Sequence, residues 1–110
     1  MSKKITEQDI IDSVASACQY ISFYHPEDFV KGMVEAYEVE KGEAAKNAIG
    51  QILINSKMCA MGHRPLCQDT GSINIFVKVG LKANLELSKE LVDVLNEGVA
   101  KGYTDPDNTL

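Results

Sequence analysis

The stretch "SINIFVKVG", residues 72 to 80, sets the strongest condition on what this chain can become. Ile73, Ile75, Val77 and Val79 alternate with Asn74, Phe76 and Lys78, the period-two pattern of a half-buried β-strand, and Gly80 ends it. A lone strand leaves its backbone N–H and C=O groups unpaired. Ser72 to Val79 must therefore pair with another strand of this chain, with another copy, or with sequence lying beyond Leu110.

Elsewhere the apolar residues recur at helical spacing. Thr6 is placed to cap a first helix with Asp9 in capping-box position, and Ile10, Ile11, Val14, Cys18 and Ile21 form its stripe. Pro26 followed by Glu27 and Asp28 reads as the first turn of a second helix that runs to about Lys41, with Phe29, Val30, Met33, Val34 and Tyr37 on its inner face. After Gly42, a third carries Ala45, Ala48, Ile49, Ile52 and Leu53. Periodicity is lost from Met58 to Gly71, where Gly62, Pro65 and Gly71 indicate a shaped loop. Asn84 can cap a last helix with Leu87, Leu91, Val94, Leu95 and Val99 inside and Gly102 to terminate it, and "YTDPDNTL" is turn chemistry. The fold class expected is α+β: about four helices and one strand in need of a partner, a fragment of a larger α/β domain.

Composition narrows the partners. With 45% hydrophobic and 25% charged residues the chain is an ordinary folding sequence, and its net charge of −5, without a Lys/Arg run, would repel a phosphate backbone. Nucleic acid is thus excluded, and so is a membrane: no apolar run approaches the ~20 residues needed to span a bilayer, and the start "MSKKITEQDI" lacks the apolar core of a secretory signal. A cytoplasmic location is expected. Cys18, Cys59 and Cys67 are odd in number and stand outside any CxxC, which favours free thiols or thiolates over a disulfide framework. Cys18 falls on the first helix's apolar stripe and reads as core.

The chemistry concentrates in "RPLCQDTGS", residues 64 to 72. Asp69-Thr70-Gly71 matches the catalytic loop of aspartic proteases, whose mechanism needs two such aspartates sharing a proton across a two-fold axis. Those enzymes are almost wholly β, with apolar residues leading into the aspartate. Here Gln68 precedes it and the chain is helical. The other reading centres on Cys67, held by the backbone that Pro65 constrains, with an amide, a carboxylate and a hydroxyl following at Gln68, Asp69 and Thr70. That suits a metal-centred substrate site.

At this point "NSKMCAMGHRPLCQDTGSINIFVKVG" resembles the first cluster-ligand segment of the iron-sulfur-dependent class I fumarate hydratases and the related tartrate dehydratase subunits, and "EGVAKGYTDPDNTL" resembles the stretch that follows it. The resemblance runs from the first helix to the end and implies that residues 1–110 are the N-terminal part of that family's catalytic domain. It implies a [4Fe-4S] cluster held by three cysteines far apart in sequence, with one iron left open as a Lewis acid, and a reaction that reversibly hydrates fumarate to malate. By resemblance Cys67 is the first of the three ligands, while Gln68 and Asp69 match positions that contact the dicarboxylate substrate. The other two ligands, an Arg expected just after "DPDNTL" and the domain supplying the general base are not in these 110 residues, so the fragment alone is expected to be inactive. The implied partners are the remainder of the enzyme chain or a second subunit, with a homodimer expected.

Cys59 matches no ligand position of the family and reads as a packing residue. His63 and Arg64 could reach substrate or cluster-bound ligands, but in a loop shaped by Gly and Pro they read first as residues pinning backbone carbonyls. His25 marks a helix boundary. The alternative to an enzyme is a non-catalytic assembly or binding module in which Cys67 is an inert thiol.

Overall fold

A computed structural model describes residues 3–66 and 72–105. They form, in order, β1 (Lys4–Thr6), α1 (Glu7–Phe23), α2 (Glu27–Val39), α3 (Glu43–Gly62), β2 (Asn84–Glu86) and α4 (Leu91–Thr104). The fold is α+β and mainly helical, as the periodicity anticipates. The described residues divide into two units, one taking the chain up to Tyr20 and again from Ser72, the other taking Ile21 to Leu66.

In the first unit α1 starts where the capping box places it. Asp9 N–H donates to Thr6 Oγ1 at 3.1 Å and Thr6 N–H donates to Asp9 Oδ2 at 3.0 Å, so two of the helix's orphan donors are satisfied reciprocally. Ile11, Ala15 and Cys18 are buried, and Val94 of α4 is 0% exposed. The small residues of α4 explain how closely the two helices approach: a Cβ added at Gly98 would lie 2.7 Å from Val14 Cβ and 3.1 Å from the Ile11 carbonyl oxygen. One at Gly102 would lie 3.1 Å from both the Ala15 carbonyl oxygen and Cys18 Cβ. Gly102 is therefore a packing residue inside α4. It does not terminate the helix, which continues to Thr104.

The strands are not those the alternation indicates. β1 pairs with β2 in parallel, Lys4 opposite Asn84, Ile5 opposite Leu85 and Thr6 opposite Glu86, and Lys4 Nζ stands 3.1 Å from Glu86 Oε1 across the pair. Neither short strand carries enough alternation to stand out in sequence. Ser72 to Val79 is not in a ladder with any described residue, because β1 pairs with β2 and no other strand lies among them. Asn84, expected as a helix cap, sits in β2. The helix starts seven residues later, where Glu90 in extended backbone precedes Leu91 and its carbonyl accepts from Val94 N–H at 3.1 Å.

Three carboxylates fasten α1. Glu7 Oε1 accepts from Ser88 Oγ–H and N–H at 2.9 and 3.1 Å, and Asp12 accepts from Lys101 Nζ of α4 and from Gln8 Nε2. The Ser88 bonds hold the Glu7 carboxyl below its ordinary range, the Thr6 backbone N–H does the same for Asp9, and Lys101 for Asp12. Each favours the charged form in the folded chain, so the unfolded chain binds more protons in acid. Their contribution is complete above the ordinary carboxylate range near ~4 and is lost as pH falls through the lowered folded values. Lys89 and Lys101 are raised by Glu97 and Asp12, so their contribution goes only as pH rises through the raised values. The urea midpoint is expected to fall below about pH 4, and Glu7→Gln to flatten that acid limb. A midpoint indifferent to acid would contradict these pairings.

The second unit is a helical hairpin with a tail. α2 and α3 pack on one another, and Gly50 lets the Tyr37 ring come close, a Cβ there lying 3.3 Å from Tyr37 Cε2. Lys46 Nζ stands 4.7 Å above the same ring. The expected inner face of α2 is only partly covered: none of its residues is buried, and Phe29, Val34 and Tyr37 are exposed, since a single neighbouring helix can cover only part of the stripe. Ile21 of α1, expected on the stripe, is exposed as well. α3 runs on to Gly62, through Met58 to Met61, which sequence reasoning placed in a loop. Met and Ala are strong helix formers, and absence of a clear apolar stripe is not absence of a helix.

Candidate functional site

Cys67, Gln68 and Asp69 lie outside the described residues, as do Thr70 and Gly71. The structure describes what leads into the motif, and that approach is closely held. His63 ends α3 in left-handed backbone, φ 50° and ψ 54°, with its N–H bonded back to the Cys59 carbonyl; Arg64 N–H reaches the same oxygen at 3.1 Å. This is the usual chemistry of a helix C-terminus with His where Gly is commoner. The imidazole lies parallel to the Phe23 ring, centroids 5.6 Å apart, edge-on to Tyr24, and its Nε2 is 3.1 Å from Tyr24 Oη.

Two further tethers follow. Leu66 N–H donates to the Ser22 carbonyl at 2.8 Å, and Cys59 Sγ lies 3.5 Å from the Pro65 carbonyl and 3.6 Å from Asn55 Oδ1. Cys59 and Phe23 are both buried. Residues 63 to 66 are thereby fixed to the end of α1 and the last turns of α3. The expectation was that His63 pins backbone carbonyls; the described contacts of its imidazole are with the Phe23 ring and with the ring and hydroxyl of Tyr24. Cys59 is the packing residue it was read to be.

His25 does more than bound a helix. Its Nδ1 is 3.0 Å from Oγ of the buried Ser56, and its ring sits 4.5 Å from that of Phe29. Sequence reasoning missed this pair. A Ser on the inner side of a helix, facing a His just before a Pro, is the signal that could have found it.

Left-handed backbone costs a residue with a Cβ about 1 kcal/mol relative to Gly. His63→Ala and His63→Gly lose the same ring contacts, so Ala is expected to be the less stable by about that amount in urea unfolding. Equal stability would mean that His63 is not left-handed in solution.

Neither described cysteine is a ligand candidate. Burial pushes the Cys18 thiol up and favours its neutral form, and Cys59 spends its Sγ on Asn55 and Pro65. Among the described residues no three His, Cys, Asp or Glu side chains are grouped to hold a metal ion.

The described residues thus hold the approach to the Pro-x-Cys-Gln-Asp-Thr-Gly motif of this mainly helical chain. The family model described as "Fumarate hydratase (Fumerase)" matches residues 11–109. This chain belongs to the fumarate hydratase (Fumerase) family. It is 35% identical over 92 residues to the "Putative L(+)-tartrate dehydratase subunit alpha" of Methanocaldococcus jannaschii, covering 84% of this chain and 32% of that protein. It is 30% identical over 98 residues to the "L(+)-tartrate dehydratase subunit alpha" of Escherichia coli, covering 89% and 32% respectively. The chain thus spans about a third of the length of these relatives. No solved structure matches it. No described helix is long and apolar enough to cross a membrane.

Proposed function

We propose that residues 1–110 are the N-terminal part of the catalytic domain of an iron-sulfur hydro-lyase that reversibly adds water to a four-carbon unsaturated dicarboxylate, fumarate giving malate. The observation that carries this reading is the family match across residues 11–109, which includes the whole motif from Pro65 to Gly71.

Cys67 would hold one corner of a [4Fe-4S] cluster, and the donor set supports a single ligand from this segment, since Cys18 and Cys59 are both buried and the Cys59 Sγ is directed at Asn55 and the Pro65 carbonyl. When bound, the cluster supplies an open iron that acts as a Lewis acid on substrate oxygens. Gln68 offers an amide that can donate to a substrate carboxylate, and Asp69 a carboxylate that can accept from a substrate hydroxyl or a water. The rest of the parent chain or a second subunit completes the site. A homodimer and a cytoplasmic location complete this reading.

A second substrate is favoured by one observation: the two relatives above are named for L(+)-tartrate, and as subunits alpha. The test is an assay of the parent protein, reconstituted anaerobically with iron and sulfide, on fumarate, malate and L(+)-tartrate. Turnover of fumarate supports the primary reading, and turnover of tartrate alone selects the second. Loss of both, with cluster bound, would leave the non-catalytic module. The isolated 110 residues are expected to turn over none of them.

A further inference from the structure

The strand-like stretch Ser72 to Val79 has two incompletely filled grooves beside it. One, about 440 Å³, is lined by Ser72, Ile73, Ile75 and the α4 residues Val92, Leu95 and Val99; the other, about 360 Å³, by Val77, Val79, Ile5, Leu85, Leu91 and Leu95. Ile73, Ile75, Val77 and Val79 thus line these grooves together with residues of α4, β1 and β2, and Lys78 borders the second. Its backbone shows the complementary deficit: no N–H or C=O of residues 72–79 bonds to the backbone of another described residue. Phe76 on the other face is 96% exposed, and Val92 on the groove wall is 63% exposed. An alternating run of β-branched residues with open edges and apolar walls beside it is a template for strand addition.

We infer that Ser72–Val79 is an acceptor strand, and that its occupant is an extended apolar segment of the same parent polypeptide, which adds alongside it and lays its side chains into the Val92–Val99 groove of α4. Length selects this occupant over a second copy: the relatives hold about two thirds of their own chain outside the matched region, so one polypeptide has the material to close the edge. A second copy would bring the same unfilled grooves and only the same strand. The inference rests on the proposal that these residues are part of a larger catalytic unit. It adds that the strand leaving the motif at Ser72 is set by pairing with a distant segment.

The test is hydrogen exchange on the full-length parent protein, at several concentrations, resolved over residues 73–79. Expected is exchange slowed by about 100-fold or more relative to an unstructured peptide, independent of concentration. In Val92→Lys, which puts a charge on the groove wall, protection of 73–79 is expected to drop by about 10-fold while the α4 amides around Val94 keep theirs. Unprotected amides in the wild-type parent would overturn the inference. So would protection that appears only as concentration rises, which would make the occupant a second copy. Slow exchange in a protein that turns over no diacid would sink the hydro-lyase reading and leave the strand pairing standing.

Discussion

In the reconstituted parent protein, Cys67→Ser is expected to lower hydratase turnover by about 1,000-fold or more, with iron and acid-labile sulfide falling together. Serine keeps the size of the side chain and loses the soft thiolate that iron-sulfur clusters require. Losing a Lewis acid that supplies several kcal/mol of transition-state stabilisation corresponds to that factor, since each ~1.4 kcal/mol is tenfold. Cys59→Ala in the same protein is the informative comparison. Its thiol is buried against Asn55 and the Pro65 carbonyl, so the expected result is a lower unfolding midpoint with the cluster content kept. Cluster lost from Cys59→Ala and kept in Cys67→Ser would reverse the assignment of the two cysteines.

Gly98→Ala is expected to destabilise the chain by about 1–3 kcal/mol, against the direction that helix propensity alone would give. Propensity favours Ala over Gly inside a helix by about 1 kcal/mol. The new methyl, however, would sit 2.7 Å from Val14 Cβ and 3.1 Å from the Ile11 carbonyl oxygen, and backbone cannot yield as a flexible side-chain tip can. Steric cost therefore wins. At Gly102 the contacts are 3.1 Å, so a smaller loss of the same sign is expected. Urea unfolding of the single variants and of Gly98→Ala with Val14→Ala provides the check. Removing Val14's γ-methyls relieves part of the clash, and the pair should be less destabilised than the sum of the two changes.

Local rules that close within a few residues were legible in the sequence. Thr6 and Asp9 satisfy each other's N–H three positions apart, and that reciprocity is visible without any fold. The helical stripe through Ile11, Val14 and Cys18 was equally readable, because α4 covers it. What failed depended on partners far away. β1 and β2 are three residues each and exist because they meet, so neither pattern announces itself. Asn84 looks like a cap until Lys4 claims it as a strand partner, and Gly102 looks like a stop until Cys18 occupies the space its missing side chain leaves. In the candidate site the motif itself was plain, whereas the Tyr24–His63 and His25–Ser56 pairs join residues 39 and 31 positions apart and had no local signature.

The parallel pairing of Lys4–Thr6 with Asn84–Glu86 also fixes an order of events during synthesis. About 80 residues must emerge before β1 meets its partner, and closing so long a loop carries an entropy cost that only the completed contacts repay. The α2–α3 hairpin is contiguous and can form on the ribosome first. β1 is therefore seated only after β2 has emerged, and the apolar α1 stripe must wait in the open until α4 arrives.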